Sequence, residues 1–158
     1  MDQQEFDAVK RDTVKRDAVR TEAQRLDGAT DAQLIQFDRE RAERRRAWLA
    51  GQAALPGEQD PLENAYRMLL RKLDIPESEA PIVHKSADRI VFHSRNFCPT
   101  LEACKLLGLD TRRVCRLYNS QSPDALVKQV DPRLSFSRNY QRIRPFQDVC
   151  EESISFAG

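Results

Sequence analysis

Four cysteines and two histidines are the residues of this chain best suited to nucleophilic or metal chemistry. Cys98, Cys104 and Cys115 lie close together, and Cys150 follows near the end. Pro99 is favourable as the first residue of a helix, so we expect the Cys98 thiol at a helix N-terminus. The helix dipole and free N–H groups there favour the thiolate, which predicts a lowered pKa. Cys98 is therefore the candidate nucleophile. The alternative is that it caps the helix and faces the core.

His93 precedes Cys98 by five residues and is the candidate proton carrier of the same catalytic site. Cys115 would face Cys98 if two short helices form a hairpin, and Cys150 would join them if its strand is central in a sheet. Both are candidate substrate-binding residues, and packing is the open alternative for each. Cys104 lies at helical spacing between two leucines, so we expect it in the core.

A metal ion is the candidate cofactor. Its ligands would be Cys98, Cys115 and Cys150, with His93 as the alternative to Cys150. Successive cysteines are separated by 5, 10 and 34 residues. Structural zinc sites usually contain cysteine pairs separated by about two to four residues, and this chain has none. A metal site would therefore depend on the fold alone. The chain also lacks a strand followed by a Gly-rich loop and a helix, which argues against binding of dinucleotides or nucleoside triphosphates.

A second group of polar residues lies between Asp131 and Pro145. Tyr140 stands there among four arginines, which are Arg133, Arg138, Arg142 and Arg144. An arginine that points inward from this segment would bind the anionic group of a small ligand. Arg138 and Tyr140 are therefore candidate substrate-binding residues. The alternatives are the outer face of a strand and contact with nucleic acid. We do not expect nucleic acid as a partner, because the net charge is only +1 and no basic face is evident.

Three helical segments precede the cysteines. The charged residues 1–27 are predicted to form an exposed or loosely docked helix, with a disordered arm as the alternative. A capping box at Thr30 and Gln33 predicts a helix over 30–50, in which the charged run RERAERRR is expected to face solvent. Residues 61–73 have the clearest amphipathic pattern and predict a helix that packs against another element. The Gly and Pro residues of GQAALPGEQDP predict a loop between these two helices.

Short runs of β-branched residues predict strands in the remainder of the chain. Residues 82–84 and 89–93 predict a hairpin. Alternation of apolar and polar residues predicts strands at 134–136 and 150–156, and residues 142–144 are expected to extend the same sheet.

Short helices are predicted between the hairpin and the later strands. The order of helices, hairpin, helices and strands predicts an α+β fold, with an antiparallel sheet, helices packed on one face and a preceding N-terminal helical segment. We divide the chain into charged N-terminal helices at 1–50 and a cysteine-containing α+β domain at 60–158.

Composition indicates a soluble protein, with 40% hydrophobic and 32% charged residues. We find neither a secretory signal pattern nor the roughly 18 apolar residues that a membrane span requires. We therefore expect a cytoplasmic protein with reduced thiols and no membrane association.

The chain from about Arg89 onward resembles the family named for L-2-amino-thiazoline-4-carboxylic acid hydrolase. The similarity lies in the order of RIVFHSRNFCPTLEACKLLGL, Cys115, DPRLSFSRNYQRIRP and CEESISF. A more distant likeness is to ligand-binding domains of the vinyl-reductase type. The resemblance implies an α+β domain with a buried small-molecule pocket and with Cys98, Cys115 and Cys150 as the family-type cysteines. The activity it implies is hydrolytic ring opening of a cyclic thiazoline amino acid.

Two functions are consistent with these observations. The first is binding of a small anionic ligand, with hydrolysis of a C–N or C–S bond in a small cyclic amino-acid-like substrate by an activated cysteine. The alternative is a non-enzymatic metal-binding or sensor subunit. Such a subunit would assemble with itself or with a protein partner through the helices at 30–50 and 61–73.

Overall fold

The computed structural model describes residues 1–52 and 60–156, so most of the predicted loop at 51–61 lies outside the described residues. The described residues form six α-helices, a short 3-10 helix at Glu77–Glu79 and four strands. In chain order the elements are α1 (Gln3–Leu26), α2 (Asp31–Ala50), α3 (Pro61–Leu73), β1 (Ile82–Lys85), β2 (Arg89–Ser94), α4 (Pro99–Leu107), α5 (Thr111–Tyr118), α6 (Gln121–Val130), β3 (Leu134–Arg138) and β4 (Cys150–Phe156).

The four strands form one antiparallel sheet in the order β1-β2-β4-β3. The α+β fold with its N-terminal helical segment is therefore confirmed. The last strand, β4, lies between β2 and β3, so it is an interior strand of the sheet. Residues 142–144 do not extend the sheet, contrary to the prediction. They lie in the connection that must reverse the chain direction between β3 and β4.

Helix α3 packs its apolar face against the inner face of the sheet. Leu62, Tyr66 and Leu69 are buried there with Phe92 and Ile154, which project from β2 and β4. The Tyr66 hydroxyl donates a hydrogen bond to the carbonyl of Ala80 at 2.7 Å. The amphipathic face predicted at 61–73 is therefore covered within the chain. It is not a free surface for assembly.

A second core joins the N-terminal helices to the helices that follow β2. Leu26 from α1 and Leu34 from α2 pack with Cys104, Val114 and Tyr118. The predicted segments 1–50 and 60–158 thus share a core, and the apolar side of α2 is also used inside the chain. Cys104 is 0% exposed, which agrees with the prediction that it packs in the core.

Helices α1 and α2 are long but strongly charged. Helix α1 starts with a capping box at Asp2 and Glu5, and Leu26 is its buried residue. This is the exposed helix of the two alternatives considered for residues 1–27. Among the helices of the described part of the chain, none has the length and apolar character needed to cross a membrane.

Candidate functional site

A cavity of about 300 Å³ lies between the inner face of the sheet and the helices. This volume is at the lower end of the range found for small-molecule sites, about 300–1,000 Å³. Cys98, Cys115 and Cys150 all line the cavity. The other lining residues are Glu22, Arg41, Arg45, Leu69, Leu70, Leu73, Ile75, Phe92, Ser94, Asn96, Phe97, Pro99, Thr100, Asn119, Pro123, Arg138, Arg144 and Glu152.

Strand pairing and helix capping bring the three cysteines to this cavity. Cys150 at the start of β4 is the pairing partner of Ser94 at the end of β2. The chain then turns into α4, where Cys98 is the N-cap and its Sγ accepts a hydrogen bond from the N–H of Leu101 at 3.5 Å. Cys115 lines the cavity from α5. Residues more than 50 positions apart in sequence thus share one small space.

The Cys98 thiol has the predicted position but not the predicted acidity. Burial raises its pKa above the ordinary value, although the N–H of Leu101 and the charge of Arg144 act in the opposite direction. The expected lowering was wrong because a helix N-terminus favours the thiolate less than removal from water disfavours it. Burial also raises the pKa of Cys115, to about 12. Both residues are therefore neutral thiols at pH 7.

The candidate metal site used the same three cysteines. Within residues 1–52 and 60–156, no group of three or more His, Cys, Asp and Glu side chains is arranged to hold a metal ion. Cys98, Cys115 and Cys150 line a common cavity without forming such a ligand set.

The structure does not bring His93 to Cys98. Alternate residues of a strand face opposite sides of a sheet. Because Phe92 and Ser94 face the cavity, His93 lies on the outer face. There its Nε2 lies 3.0 Å from Oε1 of Glu151, its pairing partner on β4. The candidate pair of nucleophile and proton carrier is therefore not assembled in this structure.

The two candidates from the arginine-rich segment have different surroundings. Arg138 lines the cavity, and its side chain is only 5% exposed. Its Nη1 donates to the carbonyl of Asn119 at 2.8 Å, and its Nη2 lies 3.5 Å from a carboxylate oxygen of Glu152. Tyr140 does not line the cavity. Its ring packs against the guanidinium of Arg116, with 4.4 Å between Arg116 Cζ and the ring centroid.

Arg45 is a cavity residue that sequence reasoning missed. It lies in the run RERAERRR, which was predicted to face solvent, but it is only 7% exposed. Its Nη1 has no hydrogen-bond partner among the described residues. Burial lowers its pKa from 12.5 to about 10, and the charge of Arg41 adds to this effect. The spacing of Leu34, Asp38 and Arg45 on one helical face was the signal that could have identified it.

The charged side chains that line the cavity are predominantly basic. They are four arginines and two glutamates, namely Arg41, Arg45, Arg138, Arg144, Glu22 and Glu152. Arg41 and Arg138 have carboxylate neighbours at 3.8 Å and 3.5 Å. Arg45 and Arg144 form no ion pair with a carboxylate of the described residues. The cavity thus has an excess of positive charge, since two of its thiols are neutral.

Comparisons of the chain with protein-family models, curated proteins and solved structures find no match. The resemblance to the thiazoline-carboxylate hydrolase family therefore stays a prediction from short motifs. Function has to be inferred from the chemistry of the cavity.

Proposed function

We propose that this protein binds a small carboxylate with an apolar portion in the cavity between the sheet and the helices. The observation that carries the proposal is the Arg45 guanidinium. It is buried, it lines the cavity, and its Nη1 has no partner among the described residues. Buried charges are normally paired, so an unpaired one at a cavity wall is best explained by a ligand that supplies the missing partner.

The energetic cost of the unpaired charge supports this explanation. A decrease in pKa from 12.5 to about 10 corresponds to about 3 kcal/mol spent on keeping Arg45 charged at this position. A carboxylate would offset that cost by forming charge-assisted hydrogen bonds with the guanidinium. Arginine suits this role because its planar donors match the two oxygens of a carboxylate.

The remaining walls restrict the size and polarity of the ligand. Leu69, Leu70, Phe92 and Phe97 provide apolar surface beside the arginines. A volume of about 300 Å³, at the lower end of the range for small-molecule sites, favours a small organic acid. The carboxylates of Glu22 and Glu152 also line the cavity, which favours a singly charged ligand over a multiply charged one.

The sequence resemblance implies a carboxylate substrate as well, since the family is named for hydrolysis of a carboxylic acid. We propose binding and leave hydrolysis out of the proposal, because His93 and Cys98 lie on opposite sides of β2. We further propose a cytoplasmic location, where the four free cysteines would stay reduced.

Calorimetric titration of the reduced 158-residue chain tests the proposal. Phenylacetate and hexanoate are compared with their neutral amides, phenylacetamide and hexanamide, and with inorganic phosphate. We expect the carboxylates to bind at least about ten times more tightly than the amides, because only the carboxylates can form an ion pair with Arg45. Equal affinity for acid and amide, or tighter binding of phosphate, would contradict the proposal.

A pair of variants on α2 locates the binding site. Arg45→Gln should weaken carboxylate binding by roughly 10- to 150-fold, which corresponds to the loss of a charged hydrogen bond of about 1.5–3 kcal/mol. Arg44→Gln is the matched control, because Arg44 is the exposed neighbour on the same helix and does not line the cavity. If both variants bind phenylacetate like the parent protein, the carboxylate does not bind at Arg45.

A further inference from the structure

We infer that Cys150 is the nucleophilic thiol of the cavity and that it forms a covalent bond with small carboxylates that carry an electrophilic carbon. The inference rests on the proposed function, since the arginines must first hold the carboxylate. It goes beyond that function by naming a reactive residue and a reactive class of ligand. It also assigns the reaction to a different cysteine from the one favoured by the sequence.

Arg144 provides the reason for selecting Cys150. The Sγ of Cys150 accepts hydrogen bonds from the backbone N–H of Arg144 at 3.5 Å and from its Nε at 3.3 Å. Two donors, one of them on a cation, stabilise negative charge as it develops on the sulfur. Arg144 is held in place by a hydrogen bond from its Nη1 to the carbonyl of Asn96 at 2.7 Å.

The other two cysteines of the cavity are less suited to nucleophilic attack. Burial raises the pKa of both Cys98 and Cys115, so each is held as a neutral thiol. The hydrogen bond that Cys98 accepts comes from an uncharged backbone N–H, that of Leu101. Among the three thiols that line the cavity, Cys150 alone receives a hydrogen bond from a guanidinium.

The cavity also contains the group that would select an anionic reagent. Arg45 and Cys150 line the same space of about 300 Å³. Arg45 is only 7% exposed and its Nη1 has no partner among the described residues, which is an observation independent of the hydrogen bonds around Cys150. A carboxylate that pairs with Arg45 is held in the same cavity as the thiol, which raises the effective concentration of its electrophilic carbon there.

Iodoacetate is a suitable probe for this reaction. The Cys150 sulfur attacks the methylene carbon, an S–C bond forms as the C–I bond breaks, and iodide leaves with the electron pair of that bond. The thiol proton passes to solvent. Iodoacetamide undergoes the same substitution but has no carboxylate, so the rate ratio of the two reagents measures the contribution of the anionic group.

The experiment labels the reduced, folded 158-residue chain with limiting reagent and maps the modified cysteines by mass spectrometry over time. We expect Cys150 to be modified first by both reagents. We expect the iodoacetate-to-iodoacetamide rate ratio at Cys150 to be at least about tenfold higher than in the urea-unfolded chain. Phenylacetate should protect Cys150 from both reagents.

Variants separate the two parts of the inference. Arg144→Gln should slow modification of Cys150 by either reagent about tenfold or more. Arg144→Lys should also slow it, because lysine keeps the positive charge but lacks the Nε donor that contacts the Cys150 sulfur. Circular dichroism establishes that each variant is folded. Arg45→Gln should lower the rate ratio of the two reagents at Cys150, and Arg44→Gln should leave it at the parent value.

Each failure has a distinct meaning. Faster modification of Cys98 or Cys115 than of Cys150 would overturn the assignment of the nucleophile, whereas phenylacetate binding by the same sample would still support the proposed function. Rapid modification of Cys150 without any preference for iodoacetate would overturn the carboxylate selectivity of the reaction, whereas the calorimetric titration with phenylacetate decides the proposed function separately. Equal rates at all three cysteines, as in urea, would overturn the inference.

Discussion

Arg45 is a charged residue that is only 7% exposed, and a buried charge without a partner weakens the ligand-free fold. Its surroundings on α2 include Arg41, whose charge adds to the unfavourable effect of burial. The nearby Asp38 carboxylate acts in the opposite direction without outweighing burial. Arg45 therefore resembles a binding residue more than a structural one. The cost of burying this charge can be measured as a change in the free energy of unfolding.

We predict that Arg45→Met raises the free energy of unfolding of the ligand-free protein by about 1–3 kcal/mol, because an apolar side chain of similar length removes the cost of the buried charge. Urea denaturation at pH 7 and at pH 9 measures the change. The pKa of Arg45 is lower in the folded chain, about 10 against 12.5, so the cost is complete below pH 10 and declines only as pH rises toward 12.5. The increase in the free energy of unfolding caused by Arg45→Met should therefore be the same at pH 7 and at pH 9.

The control for this substitution is Arg44→Met at the exposed neighbouring position. We expect it to change the free energy of unfolding by no more than about 0.5 kcal/mol. A loss of stability in Arg45→Met greater than that of Arg44→Met would show that Arg45 contributes to the fold through contacts that outweigh its desolvation.

Helix α6 depends on a cap that comes from another helix. Ser120 is its N-cap residue but makes no capping hydrogen bond with its own side chain. Asp38 of α2 instead accepts hydrogen bonds from the backbone N–H groups of Ser120, Gln121 and Ser122 at 3.0, 2.7 and 3.2 Å. The carboxylate is 0% exposed and lies at the positive end of the α6 dipole. It thus joins α2 to α6.

We predict that Asp38→Ala lowers the free energy of unfolding by about 3 kcal/mol, because three backbone N–H groups at the start of α6, that of Ser122 buried, would lose their acceptor. Asp38→Asn should lower the free energy of unfolding by less, since the amide oxygen of asparagine can still accept a hydrogen bond from these N–H groups. Chemical denaturation measures both. Asp17→Ala on α1 is the control, because the Asp17 side chain is 62% exposed and its ion pair with Arg20 is a surface contact. Equal losses for Asp38→Ala and Asp17→Ala would refute the capping role.

The end of α4 requires a glycine. Gly108 has φ +68° and terminates the helix in the left-handed conformation. We predict that Gly108→Ala costs about 1 kcal/mol, because the added Cβ is strained at this φ even though the surrounding space is open. Gly51→Ala is the matched control. Gly51 ends α2 at φ −89°, where the change should be close to neutral or stabilising. Melting temperatures of the two variants, compared with that of the parent protein, provide the measurement.

At the scale of the whole molecule, several carboxylates are stabilised in their charged form by folding. Hydrogen bonds from Arg112 and Arg133 lower the pKa of Asp110 and Asp131, the latter to about 2. Those from Asn139 and His93 lower the pKa of Glu151. A carboxylate with a lowered pKa in the folded chain contributes stability at neutral pH. That contribution is lost as pH falls below the ordinary pKa and through the folded-state value.

We therefore predict that the melting temperature is nearly constant from pH 7 to 5 and decreases as pH falls from about 4.5 to 2. Calorimetric scans across this range measure the profile. Asp131→Asn should have a shallower decrease than the parent protein, since it removes one of the groups that must take up a proton on unfolding. A profile that is flat down to pH 2 would contradict the prediction.

The parts of the fold that could be predicted depend on residues that are neighbours in the sequence. The repeat over 61–73 identified α3, the dipeptide Cys98-Pro99 identified the start of α4, and Gly108 identified its end. Such features depend on residues within one or two turns, so the sequence displays them directly. The extension of the sheet through 142–144 failed because β-branched character competes there with a chain reversal that only the pairing of β3 with β4 imposes.

The α+β order of elements, apart from the strand expected at 142–144, and the position of the Cys98 thiol at a helix N-terminus follow from the sequence alone. The surroundings of each thiol depend instead on the tertiary structure. It buried Cys98, placed Arg144 against Cys150, turned His93 to the outer face of the sheet and enclosed Arg45 at the cavity wall. These outcomes depend on desolvation and on contacts between residues far apart in the chain. Propensity and spacing describe neighbours in sequence and contain no information on either effect.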